Sequence, residues 1–221
     1  MAKKAPPNPS KTGKKRARSP TAAAPAEPPK RPKSGEKPRP GNAAARARAP
    51  VVGCVSGMTA KQRGMAQQAL KAHNGRLVEG IARANLLIVP APPTRTPKFI
   101  IAVGRGIPIV DIPHLEAALT DGDLSKFIVS LKYLDVTYTA PALRSAIFRT
   151  REIPLLKGLE FQLSGLPIKQ RSTVQEIITG CGGKVTSQKG TSVAQITNDT
   201  LDTLYDCILR GQRPVLLLKN T

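Results

Sequence analysis

The stretch RTPKFIIAVGRGIPIV, Arg95 to Val110, decides how this chain is read. Thr96 followed by Pro97 is a helix cap followed by a first helical position that has no donor to lose, so a helix is predicted from there through Val103 to Gly104. IPIVD, Ile107 to Asp111, then reads as a strand, and NLLIVP, Asn85 to Pro90, reads as another on the upstream side. A strand, a helix and a strand at this spacing make a crossover unit. Such units pair their strands in parallel and cover the sheet with helices.

Working outward, VVGCVS at Val51 to Ser56 is a buried strand. Thr59 caps a helix over Ala60 to Ala72 with apolar positions at Met65, Ala66, Ala69 and Leu70, and His73-Asn74-Gly75 stops it. RLV at Arg76 to Val78 is a short strand, and PHLEAAL at Pro113 to Leu119 a closing helix. A similar unit follows about a hundred residues later. GLEFQLSG at Gly158 to Gly165, KVT at Lys184 to Thr186, VAQIT at Val193 to Thr197 and PVLLL at Pro214 to Leu218 are its predicted strands, with helices over Ser172 to Thr179 and Leu201 to Arg210. A period this long means paired domains rather than a solenoid. The expected fold is α/β: two three-layer domains with central, largely parallel four-stranded sheets, in tandem after a disordered basic tail. The divisions are 1–50 for the tail, 51–131 for the first repeat, 132–153 for a linker whose helix begins at Thr139 and Pro141, and 154–221 for the second repeat.

The tail is Pro, Ala, Lys, Arg, Ser and Gly with almost no large apolar side chain, too little to offset the ordering of the chain. Its first fifty residues hold 14 Lys and Arg against 2 acids, so +12 of the formal +21 lies there. KKRAR at Lys14 to Arg18 and PPKRPK at Pro28 to Lys33 have the form of a two-part nuclear import signal; a solvated arm that holds DNA without sequence preference is the other reading, and the two are compatible. Elsewhere the composition mainly excludes. Cys54, Cys181 and Cys207 are scattered without metal-binding spacing and read as small buried residues, no apolar run is long enough for a membrane span, and no secretory leader is seen. GCGGKV, Gly180 to Val185, lacks the Ser or Thr and the glycine spacing of a nucleotide loop, and no nucleophile and base stand out. Neither an enzyme nor a cofactor is expected.

Two strings carry chemistry. VSGM, Val55 to Met58, offers a hydroxyl and a free N–H where a strand enters a helix, and RTPKF, Arg95 to Phe99, offers an ammonium in a first helical turn. Together they would hold a phosphate. With LLKGLEF at Leu155 to Phe161 and EIITGCGGKV at Glu176 to Val185, these strings resemble BRCT repeats, the phosphopeptide-binding and protein-interaction modules of DNA-damage response proteins. The resemblance spans roughly Val51 to Leu218.

It implies that Ser56, Gly57 and Lys98 bind phosphate and that Arg95, projecting along the same rim as Lys98, contacts the peptide's main chain or a free C-terminal carboxylate. Thr96 orients the pocket from behind or simply caps its helix, and Ile177 supplies a pocket wall. His114 stands where the family usually has a Trp, and is read as packing. The second repeat is expected to lack its final helix; another segment replaces it, the repeats pack less firmly, or another chain completes the fold. The implied function is a nuclear adaptor that reads a phosphoserine or phosphothreonine, with a phosphorylated protein or histone tail as partner, non-specific DNA contact through residues 1–50, and no membrane. The alternative is a basic chromatin or nucleic-acid-binding protein in which the repeats only scaffold.

Overall fold

A computed structural model describes residues 49–187 and 193–214. The expectations for the tail and for the strand over Val215 to Leu218 lie outside those residues. Chain order gives β1 (Val52–Val55), α1 (Ala60–Ala72), β2 (Arg76–Val78), β3 (Leu86–Val89), α2 (Pro97–Arg105), β4 (Ile109–Asp111) and α3 (Ile112–Asp121). There follow β5 (Leu131–Tyr133), β6 (Val136–Tyr138), α4 (Ala140–Thr150), β7 (Glu160–Leu163), α5 (Ile168–Gly180), β8 (Lys184–Val185), β9 (Val193–Ile196) and α6 (Asn198–Leu209).

The first sheet has the order β2-β1-β3-β4, with every pairing parallel. Its alternation sorts the core into two layers, because successive strand residues face opposite ways. Val55, Leu86, Ile88 and Val110 pack with Ala66, Leu70, Leu115 and Leu119 of α1 and α3. Cys54, Leu87, Val89 and Ile109 pack on the other face with Phe99 to Val103 of α2. The second sheet, β8-β7-β9, is likewise parallel among the described residues. The molecule is therefore mixed α/β with parallel sheets, as the crossover pattern predicted.

Helix α2 is buried from Phe99 to Gly104, apolar all round because it has neighbours on all sides. The first sheet covers one side; α4, α5 and α6 cover the rest. Gly104 and Gly180 make this approach possible: a Cβ on Gly180 would lie 2.8 Å from Ile101 Cγ1, and one on Gly104 would collide with Cys181. The buried Thr150 hydroxyl lies 2.5 Å from the Val103 carbonyl, and Leu155 N–H donates to Gly104 at 2.9 Å, so the segment after α4 is fastened to the end of α2. The two sheets are thus joined through one continuous core around α2, with the segment between the repeats part of that packing.

Several local expectations change. Met65 is about half exposed, since the buried face of α1 is Ala66, Ala69 and Leu70. Helix α5 starts four residues before Ser172, whose hydroxyl bonds back to Lys169 rather than capping. The antiparallel β5-β6 hairpin lies across the boundary with the segment read as a linker with a helix. His114 is exposed, not packed: its ring Nδ1 sits 2.6 Å from Asp111 Oδ1, the carboxylate that caps α3.

Candidate functional site

The carboxyl end of β1 meets the amino end of α2. Ser56 N–H donates to the Ile88 carbonyl at 3.1 Å, which seats the residue after β1 against β3 and leaves it only 9 % exposed. Ser56 Oγ lies 2.7 Å from Thr96 Oγ1. Thr96 is the cap of α2 and accepts the Phe99 N–H at 3.2 Å. A hydroxyl has one proton. If Thr96, already an acceptor, directs its proton to Ser56, the Ser56 proton is left for a third group, and the chain Phe99 N–H, Thr96, Ser56 is polarised outward. Thr96 thus caps α2 and hydrogen-bonds Ser56 with the same hydroxyl, so the two roles the sequence presented as alternatives are compatible.

Gly57 follows at φ +68°, where a side chain would be strained and where a Cβ would come within 3.0 Å of the Thr94 hydroxyl. It is exposed, and its N–H has no protein acceptor among the described residues. Lys98, in the first turn of α2, donates to the Val55 carbonyl at 3.2 Å and the Glu79 carbonyl at 2.8 Å. Its ammonium therefore sits against the peptide that joins Val55 to Ser56, with one of three protons uncommitted. The Glu79 carboxylate does not neutralise it directly, because Arg63 pairs with that carboxylate and holds it below its usual range. Cys54 below is fully buried, and burial pushes its thiol up.

Arg95 goes elsewhere. Thr96 is extended, at φ −102° and ψ 161°, so Arg95 lies before the helical repeat that carries Lys98 and the three-residue spacing does not by itself align the two side chains. Its guanidinium lies over the Tyr133 ring, 3.4 Å from the centroid, and 4.8 Å from that of Tyr205. It donates to the Tyr133 hydroxyl at 2.5 Å and to Asp202 Oδ1 at 3.1 Å. The Arg95 side chain is 15 % exposed and that of Asp202 is 71 % exposed. Two rings, a hydroxyl and a carboxylate from β5 and α6 hold this cation, and none of them was singled out from the sequence. Ile177 is 1 % exposed and belongs to the core around α2, so its side chain offers no wall to a ligand. Packing of α5 on α2 uses the apolar surface that was assigned to the pocket.

The set formed by Ser56, Gly57 and Lys98 is all donor, at the carboxyl end of a parallel sheet and beside the positive end of a helix. Such a set suits an anion. Among the described residues no group of three or more His, Cys, Asp or Glu could hold a metal ion, and no helix is long and apolar enough to cross a membrane.

Residues 152–202 match the sequence profile of the BRCA1 C Terminus (BRCT) domain. No curated protein sequence matches the chain. Among solved structures, the fold is similar to the BRCT5-BRCT6 domains of Brc1 from S. pombe, with a TM-score of 0.53 at 17% identity over 74% of this chain and 94% of that one. The FHA/BRCT-repeat domain of S. pombe Nbs1 matches at a TM-score of 0.39 and 11% identity over 78% and 63%, and Rad4 BRCT1,2 with a Crb2 phosphopeptide at 0.32 and 16% over 74% and 93%. The fold is that of a tandem BRCT pair.

Proposed function

We propose that this chain is a phosphopeptide-binding adaptor of the nuclear DNA damage response. Ser56 Oγ, Gly57 N–H and Lys98 Nζ take the phosphate of a phosphoserine or phosphothreonine, and Arg95 takes the peptide's main chain or free C-terminal carboxylate. The observation that carries this reading is the 2.7 Å contact of Ser56 with Thr96, which joins the end of β1 to the start of α2 and brings a hydroxyl to the same end of the sheet as the Gly57 N–H and the Lys98 ammonium. In its Arg95 to Val110 stretch the chain is very similar to the corresponding part of the first repeat in the C-terminal pair of the mediator of DNA damage checkpoint protein. A phosphorylated histone C-terminal tail is therefore the partner to try first.

Fluorescence anisotropy with matched phosphorylated and unphosphorylated peptides tests the reading. Preference for the phosphorylated member, lost in Ser56→Ala, is expected; equal binding of the two would sink it. The basic first fifty residues support a second reading, a chromatin or nucleic-acid scaffold, whose mark is steep salt dependence. Removal of residues 1–46 separates the two: DNA affinity should fall while the phosphopeptide preference stays.

A further inference from the structure

At the opposite end of α2 lies a second concave surface. A groove of about 420 Å³ opens beside Gly106, between α4 and the segment around Ser125 and Ile128. With nine residues in α2, the groove is about 13 Å along the helix from the Thr96 end. Ile128 and Ile147 form its floor, and Phe148 stands at its edge with 75% of its surface exposed in a chain that has only four Phe and no Trp. Arg144, Arg149 and Arg151 also line it, and no acidic side chain does.

Two of the three guanidinium groups are held by backbone carbonyls, and none of the three is in an ion pair among the described residues. Arg144 donates to the Ser125 and Lys126 carbonyls at 2.8 and 3.1 Å, and Arg149 donates to the Arg210 carbonyl at 2.8 Å. The Arg151 guanidinium has no hydrogen-bond or ion-pair partner among the described residues, and Asp123 is near enough to Arg144 only to feel its charge. Each keeps donors free. An exposed aromatic side chain among arginines, over an apolar floor, has the composition of a binding hot spot.

Charge chooses the occupant. The chain's own first fifty residues carry +12, the same sign as this rim, and so are not its complement. A nucleic-acid backbone satisfies the arginines but leaves the Ile128 and Ile147 floor uncovered, which an apolar side chain would cover. We infer that the groove docks an acidic peptide segment of a partner protein, one large apolar side chain entering between Ile128, Ile147 and Phe148 while flanking carboxylates pair with Arg144, Arg149 and Arg151. This second contact needs no phosphate.

The test uses the full chain and fluorescein-labelled, unphosphorylated peptides in which Glu and Asp flank a central Leu, Phe or Trp. At least one should bind at least fivefold more weakly to Phe148→Ala and to Arg151→Glu, both surface changes whose folding is checked by thermal melting. An Ala-centred peptide measures the attraction of the basic tail alone and should be indifferent to Phe148→Ala. Free phosphoserine at matched ionic strength should not displace the Leu, Phe or Trp peptide. The inference is overturned if no such peptide exceeds the Ala-centred one, if both variants bind it as the parent does, or if phosphoserine displaces it. It is equally overturned if a single-stranded oligonucleotide, and no acidic peptide, shows the dependence on Phe148 and Arg151.

Discussion

Replacing Lys98 with Met keeps length and helix propensity while removing the ammonium. In the free protein this group already satisfies the Val55 and Glu79 carbonyls, at 3.2 and 2.8 Å, and has one proton left. Binding should therefore lose one hydrogen bond between charged partners, about 1.5–3 kcal/mol, or roughly a 10- to 150-fold weaker Kd. Folding should lose less. The Glu79 carbonyl is exposed to water that can replace the ammonium, so only the half-buried contact at Val55 is lost outright, about 1 kcal/mol and roughly 2–4 °C in Tm. Anisotropy titration with phosphorylated and unphosphorylated peptides, beside urea unfolding, measures both quantities. Equal loss for the two peptides, or loss of stability with the phosphate preference intact, would refute the assignment, since Lys98 would then act only as a strut between β1 and β2.

Thr96→Val removes the α2 cap and the partner of Ser56; a loss of about 1 kcal/mol of stability together with weaker phosphopeptide binding is expected, and Thr96→Ser should restore both. Arg95→Ala should abolish any preference for a free-acid peptide over its C-terminal amide, because the ion pair with the exposed Asp202 is worth less than about 1 kcal/mol and yields readily to a better-placed carboxylate. Burial, then the hydrogen bond to Asp206, raises the Tyr138 hydroxyl to about 12, so the folded state keeps it neutral after the unfolded state has ionised. Its contribution to stability is full below pH 10 and is lost as pH rises towards 12; ultraviolet titration should show a late phenolate step that Tyr138→Phe removes. Gly104→Val, forced against Cys181, should destabilise by about 1–3 kcal/mol in denaturant melts.

The first sheet was legible because its strands alternate and its helices carry their own punctuation: Thr59 and Gln62 form a capping box, and Thr96 caps α2 with Pro97 behind it. The proximity of the proposed anion-binding residues was legible for the same reason, since Ser56 and Lys98 lie at ends of elements whose order could be read. Arg95 was only half legible. Its partners Tyr133 and Asp202 are 38 and 107 residues away, and nothing local in KYLDVTY announces a hairpin: Leu134 turns the chain at φ +50° where Asn or Gly would be expected. Ile177 misled because an apolar residue on a second-repeat helix fits a pocket wall and a helix interface equally well by pattern. Burial against α2 alone separates them.

On the proposed function, these placements divide recognition into parts that depend differently on the second repeat. Ser56, Gly57, Thr96 and Lys98 are held by β1, β3, the residue after β2 and the first turn of α2, all within the first sheet and its helices. Arg95 is held by Tyr133 and by Asp202 of α6, so its position is set by how α6 packs against α2. Loosening that packing should move Arg95 relative to Lys98 before it disturbs the anion site. A variant such as Gly104→Val should then lose selectivity for the residues following the phosphate while phosphate dependence itself persists. The order of those two losses therefore tests the proposed division of labour, with phosphate dependence resting on the first sheet and its helices and Arg95-dependent selectivity on the packing of α6 against α2.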